Sequence, residues 1–125
     1  MKTPSDRRYR ETHEWFLLEG DIVTIGLTAH AADELTDITY VDLPEVGKTV
    51  AIDEVVAEVE SVKATAEIYT GVAGQIVEVN TALVDNPELI NDDAFNDGWL
   101  LKIRADSPTA LDDLMSAKAY EKHIS

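Results

Sequence analysis

The sequence predicts a mainly β protein: a sandwich of short antiparallel strands with quasi-twofold symmetry, one short helix near 29–35 and a C-terminal helix near 108–122. Three observations lead there. Apolar and polar residues alternate with a period of two, the mark of half-buried strands. Val55, Ala57 and Val59 alternate with Val56, Glu58 and Glu60, and Ala64, Ala66 and Ile68 alternate with Thr65, Glu67 and Tyr69. A weak internal repeat aligns the run from Gly47 to Asp53 with that from Gly74 to Asn80, matching glycine to glycine, Val50 to Val77 and Ile52 to Val79. The two copies flank the central hairpin, and neither buries an apolar face alone, so each is expected to pack on the other. Helical spacing is confined to two short stretches.

In chain order, Trp15-Phe16-Leu17-Leu18 reads as a buried strand, Glu19-Gly20-Asp21 as a turn and Ile22 to Gly26 as the returning strand of a hairpin. Thr28 is a suitable N-cap for a helix from Ala29 to Leu35 with Ala31, Ala32 and Leu35 inward. Ile38 to Leu43 alternates as a strand closed by Pro44 and Gly47. Strands follow at Val55–Glu60, Ala64–Tyr69 and Gln75–Val79. Asn80 to Gly98 is loop-rich, with one helical turn at Pro87 to Ile90. Trp99 to Arg104 is a last strand. Ser107-Pro108 marks a helix start, with Leu111, Leu114 and Met115 as its buried stripe and Lys118, Lys122 and His123 near its C-terminal end.

Composition bounds the function. The 125 residues are 45% hydrophobic, enough for one domain that buries roughly two thirds of its unfolded surface without metal or disulfide. There is no cysteine, which excludes disulfides, thiolate zinc sites and a catalytic thiol. Ten Lys and Arg against 25 Asp and Glu give a net charge of −15. That argues against nucleic acid and anionic membranes as partners. It suits a soluble monomer that meets basic patches on other proteins. No apolar run reaches the length of a membrane span, and the basic start Met1 to Arg8 lacks the apolar core of a secretory signal and is short for a transit peptide, so the cytoplasm is the expected location. His13-Glu14 has no second histidine four residues on, and Asp92, Asp93 and Asp97 do not follow a calcium-loop spacing.

The hairpin link Ser61-Val62-Lys63-Ala64 lacks the Asn-Gly or Asp-Gly of a tight turn. Lys63, one of six lysines, reads either as a solvated strand end or as a covalent attachment point. At a rigid tip, with small neighbours Ser61, Ala64 and Ala66, its amine is open to a modifying enzyme.

Glu60-Ser61-Val62-Lys63-Ala64, followed by Ile68-Tyr69, Gly74 and Val77-Glu78-Val79-Asn80, resembles the lipoyl-attachment signature of the glycine cleavage system H proteins. Thr12-His13-Glu14-Trp15, Gly26 to Ala31, Leu43 to Gly47, Pro87 to Asn91 and Asp97-Gly98-Trp99-Leu100 are similar to runs of the same family, so the likeness extends from about Tyr9 to the last helix. Gly71 stands where the family commonly has proline, and Ala73 and Phe95-Asn96 also depart from its pattern, which leaves room for a paralogue with altered partners.

The resemblance implies a lipoyl/biotinyl-type barrel-sandwich hybrid, a single lipoyl-binding domain over residues 1–125, and a carrier with no catalytic residues of its own. Lys63 would hold lipoate as N6-lipoyl-lysine, added by a lipoyl or octanoyl transferase or ligase. The arm would take an aminomethyl group from the pyridoxal-phosphate-dependent P protein. It would pass it to the tetrahydrofolate-dependent T protein, and the L protein (dihydrolipoamide dehydrogenase) would reoxidise it. Thr12, Glu14 and Glu67, with His30 alongside, match positions that dock the loaded arm. Other readings are an H-like relay donating lipoate to other complexes and a lipoyl domain of another complex. The latter usually carries Asp-Lys-Ala and a flexible linker. A biotinyl domain places methionine on both sides of its lysine, where this chain has Val62 and Ala64.

Overall fold

The computed structural model describes residues 3–107, 109 and 111–125. Their strands are β1 (Arg8–Tyr9), β2 (Glu14–Glu19), β3 (Ile22–Leu27), β4 (Ile38–Asp42), β5 (Thr49–Val50), β6 (Val55–Ser61), β7 (Thr65–Tyr69), β8 (Gly74–Val79) and β9 (Leu101–Ala105). The helices are α1 (Ala29–Leu35), α2 (Ala82–Asp85), α3 (Leu89–Asp92) and α4 (Ala117–Ile124). The strands form two sheets, β1-β2-β3-β9-β8-β5 and β4-β6-β7, and all named pairs are antiparallel. The architecture is mainly β with short helices, as the alternation predicts, and the sheets do not close into a barrel.

Local chemistry explains the hairpins. Gly20 takes φ 68°, so Glu19 can pair directly with Ile22 across a two-residue loop. Thr28 caps α1, its hydroxyl accepting from the Ala31 N–H at 3.3 Å. In β6 the alternation breaks. The register slips between Val55 and Ala57, so Val56 and Ala57 are both buried while Val55 turns outward. A bulge places two residues opposite one and reverses the facing of everything before it, which a period of two cannot anticipate.

The core lies between the sheets. Val23, Ile25 and Leu27 of β3, Leu101 and Ile103 of β9 and Ile76 of β8 pack with Val41, Val59 and Ile68 from the smaller sheet. The two repeat units meet edge to edge: Thr49 pairs with Gln75, Val50 with Gly74, and the Gly47 N–H donates to the Ile76 carbonyl at 2.7 Å. Their stacking face to face, expected from the repeat, gives way to hydrogen bonding within one sheet. The first unit ends early because Ala51 to Glu54 turn, with Asp53 at φ 72°.

The C-terminal helix spans Ala117–Ile124, shorter and later than the 108–122 expectation, whose Pro108 lies outside the described residues. The reason is tertiary. Tyr9 and Met115 exchange two backbone hydrogen bonds of 2.8 Å, which holds Met115 in a bridge and out of a helix. The helix restarts behind a new cap, Ser116, whose hydroxyl accepts from the Ala119 N–H at 3.2 Å. Leu111 is still buried and Leu114 still packs on the core, from turns. Ala117 and Tyr120 join Tyr9 and Trp15 in a second apolar cluster, over which the Arg7 guanidinium lies 4.7 Å from the Trp15 ring. Two short elements, β1 and α2, lack any sequence signal strong enough to announce them, being two and four residues long.

Gly74 marks where three strands converge. A Cβ there would stand 2.0 Å from the Arg104 carbonyl oxygen, a backbone atom that cannot swing aside. Gly74→Ala is expected to lose at least about 1–3 kcal/mol of stability through overpacking. Urea denaturation checks this, and an unchanged midpoint would contradict the close approach.

Candidate functional site

The β6–β7 hairpin owes its tip to Ser61. The Ser61 hydroxyl accepts from the Lys63 N–H at 3.1 Å and the Ala64 N–H at 2.9 Å, and donates to the Ala64 carbonyl at 3.0 Å. The Ser61 N–H donates to the same carbonyl at 2.8 Å. A serine side chain thus replaces the positive-φ residues a tight turn usually needs. The tip is also anchored from outside. Val62 N–H donates to the Asp37 carbonyl at 3.1 Å, and the Thr39 hydroxyl to the Glu60 carbonyl at 3.3 Å. Val62, Lys63 and Ala64 are exposed on this fixed base. Lys63 Nζ reaches back to the Glu34 carbonyl of α1 at 3.3 Å, a contact between exposed groups.

Below the tip, the outward face of β7 carries Thr65, Glu67 and Tyr69. Tyr69 links Glu67 to Glu14 twice over. Its hydroxyl donates to Glu67 Oε1 at 3.3 Å, and its backbone N–H donates to Glu14 Oε2 at 2.9 Å. The Thr12 hydroxyl donates to Glu14 Oε1. Three of the four arm-docking candidates, Thr12, Glu14 and Glu67, therefore form one connected group, with Tyr69 as the member that sequence reasoning missed. Its position two residues beyond Glu67 in an alternating strand was the available signal.

Glu14 is fully buried. Burial raises its carboxyl above the ordinary value of 4.5, opposed by the hydrogen bonds from Thr12 and Tyr69 and by the charge of Arg10. Arg10 braces this wall, donating to the Thr70 carbonyl at 3.0 Å and pairing with Asp53 at 2.6 Å. The turn at Gly71 is held by Thr70, whose hydroxyl donates to the Val72 carbonyl at 2.7 Å and accepts from its N–H at 3.1 Å.

His30 is placed elsewhere. It pairs with Glu34 at 3.4 Å one turn along α1, and its ring lies 5.1 Å from that of His13. His13 itself turns away from its neighbours Thr12 and Glu14, with φ 75° and Nδ1 2.7 Å from the Tyr120 hydroxyl. The site thus has a carboxylate wall on β2 and β7 and a histidine wall made by His30 of α1 and His13 of the loop before β2. Nothing in the local sequence around Thr12 distinguishes the two.

The family model for the glycine cleavage H-protein matches residues 7–125. A glycine cleavage system H protein of Thermus thermophilus is 49% identical over 122 residues, covering 98% of this chain and 95% of that protein. One from Methylacidiphilum infernorum is 46% identical over the same shares. The crystal structure of a glycine cleavage system H protein from Mycobacterium marinum superposes with a TM-score of 0.89 at 38% identity, covering 97% of this chain and 98% of that one.

The buried carboxyl makes a pH prediction. A glutamate whose folded pKa is raised stabilises the fold fully below its unfolded value, and that contribution is lost as pH rises through the folded value. Glu14→Gln keeps an acceptor for the Tyr69 N–H but cannot ionise. Its stability relative to the parent should therefore increase as pH climbs from below 4.5. Urea midpoints of both proteins across a pH series test this; a difference that stays flat or shrinks would refute the assignment.

Proposed function

Because the chain belongs to the glycine cleavage H-protein family, we propose that it is a lipoyl carrier with Lys63 as the attachment point. The observation that carries this reading is the mount. Lys63 stands exposed at a tip fixed by Ser61 within the hairpin and by Asp37 outside it, with a carboxylate-lined wall leading away along β7. Such a lysine is accessible to a lipoyl or octanoyl transferase or ligase, while the backbone that presents it stays ordered. The four residues around it, Glu60, Ser61, Val62 and Ala64, divide the labour. Ser61 shapes the turn, Glu60 pairs with Thr65 to hold the strand ends together, and Val62 and Ala64 offer small or apolar surface to the modifying enzyme.

When bound, the lipoyl group supplies the dithiolane chemistry by which an aminomethyl group passes from P protein to T protein, with reoxidation by L protein. What this chain adds is presentation and a resting place. An aminomethyl amine is cationic near neutral pH; exposed Glu67 offers it a charge-assisted hydrogen bond, and Glu14 becomes a second partner where the arm opens the wall that buries it. Thr12 and the Tyr69 N–H fix the Glu14 carboxylate in one orientation. A cation brought beside Glu14 favours its ionised form, against the burial that otherwise opposes it. Under this reading the carrier is one lipoyl-binding domain, a cytoplasmic monomer whose charge of −15 steers it toward basic surfaces on its partner enzymes. No helix among the described residues is long and apolar enough to cross a membrane.

Intact mass spectrometry of protein from a lipoate-competent host should show one lipoyl increment, lost in Lys63→Arg. An unmodified parent protein would count against the assignment. For the resting place, Glu14→Ala should shorten the lifetime of isolated aminomethyl-loaded protein, read as faster ammonia release. An unchanged rate would exclude a protective role for Glu14.

A further inference from the structure

The chain has three histidines, at positions 13, 30 and 123, and the fold gathers all of them at one place. The His13 ring lies 5.1 Å from that of His30 and 6.1 Å from that of His123. Glu34, four residues after His30 on α1, completes the group, and one ligand atom from each of His13, His30 and Glu34 lies within 4.8 Å of the others. We infer that His13, His30 and Glu34 form a binding site for a divalent transition metal of the zinc type, with His123 in position to approach as a further ligand.

Three features support the site. First, the donor set is chemically right, since imidazole and carboxylate oxygen are ligands that zinc and its neighbours take, at bonds of roughly 2.0–2.2 Å. Tetrahedral bonds of that length put ligand atoms about 3.3 Å apart. His30 Nε2 and Glu34 Oε1 already stand 3.4 Å apart, so this pair needs almost no rearrangement, and a modest swing of the His13 ring closes the rest. Second, His13 has the outer support that metal-binding histidines use. Its Nδ1 faces the Tyr120 hydroxyl at 2.7 Å, and that hydroxyl faces Thr28 Oγ1 at 2.8 Å. With Nδ1–H donating to Tyr120 and Tyr120 donating to Thr28, the His13 Nε2 lone pair is left for a metal. Third, His13 holds φ 75°, a left-handed backbone rare for a residue with a side chain, and the Thr28 N–H pins it there through the His13 carbonyl at 2.9 Å.

The site is distinct in its chemistry from the carboxylate wall. Glu14 holds the Tyr69 N–H and Thr12 holds Glu14, while the ring of His13, between them in sequence, serves the histidine group. Tyr120 acts here as a positioning residue.

The test is calorimetric titration of the full, tag-free chain with Zn²⁺, and with Co²⁺ as a spectroscopic reporter of coordination. One equivalent should bind saturably, and Co²⁺ should give visible absorption of a nitrogen- and oxygen-ligated centre. His30→Gln and Glu34→Gln are substitutions on exposed or half-exposed helix positions that leave the core untouched. Each should weaken Zn²⁺ at least ten-fold. Tyr120→Phe should weaken binding and shift the Co²⁺ spectrum, whereas a purely structural role for Tyr120 would leave the spectrum of the bound form alone. Absence of saturable one-to-one binding, or affinity unchanged in both His30→Gln and Glu34→Gln, would overturn the site.

Discussion

The hydrogen bond from the Tyr69 N–H to the Glu14 carboxylate joins the two sheets at the candidate site. β2 belongs to the six-stranded sheet, and β7 is one of the two outer strands of the three-stranded one. A free N–H on an outer strand invites pairing with another chain, and here a buried side chain occupies it. Burying a carboxyl is costly unless its oxygens find donors, and each Glu14 oxygen has one, from Thr12 or from Tyr69. The same group therefore closes an edge, locks the N-terminal segment onto the hairpin and places a carboxyl on the wall below Lys63. Arg10, reaching Thr70 next to Gly71 and Asp53 in the turn before β6, reinforces that lock at the hairpin's base.

Rigidity at the tip and openness of the lysine look like opposing demands, and the structure meets both by separating backbone from side chain. Ser61 satisfies the turn's N–H groups with its hydroxyl, and the α1–β4 link takes up the Val62 N–H. No side chain has to cover Lys63 to order it. A side chain on such a base starts from a fixed origin while its end stays open to solvent.

The C-terminal helix has a part in this that its sequence does not advertise. Tyr120 stacks on Tyr9 at 4.9 Å between ring centres, touches the α1 cap Thr28 and faces His13. One phenol thereby connects the last helix, the first helix and the loop that carries Thr12 and leads into Glu14 of β2. The gathering of three histidines from positions 13, 30 and 123 follows from this packing.

Much was legible in the chain. The α1 boundaries and its Thr28 cap, the Glu19-Gly20-Asp21 turn, the alternating strands and the lysine at the hairpin apex all follow from short-range rules, because caps, turns and strand faces depend on residues a few positions apart. The motif around Lys63 and the likeness along the chain were equally local in kind. The remainder was decided by contacts between distant residues. The Tyr9–Met115 bridge cut the last helix back to Ala117, the bulge at Val56 turned one end of β6 over, and the repeat units joined by their edges. Thr12, His13 and Glu14 are consecutive in sequence, yet Thr12 bonds Glu14 and Glu14 bonds Tyr69, while His13 faces Tyr120. That division follows from a left-handed backbone at His13, held by partners that only the folded chain brings within reach.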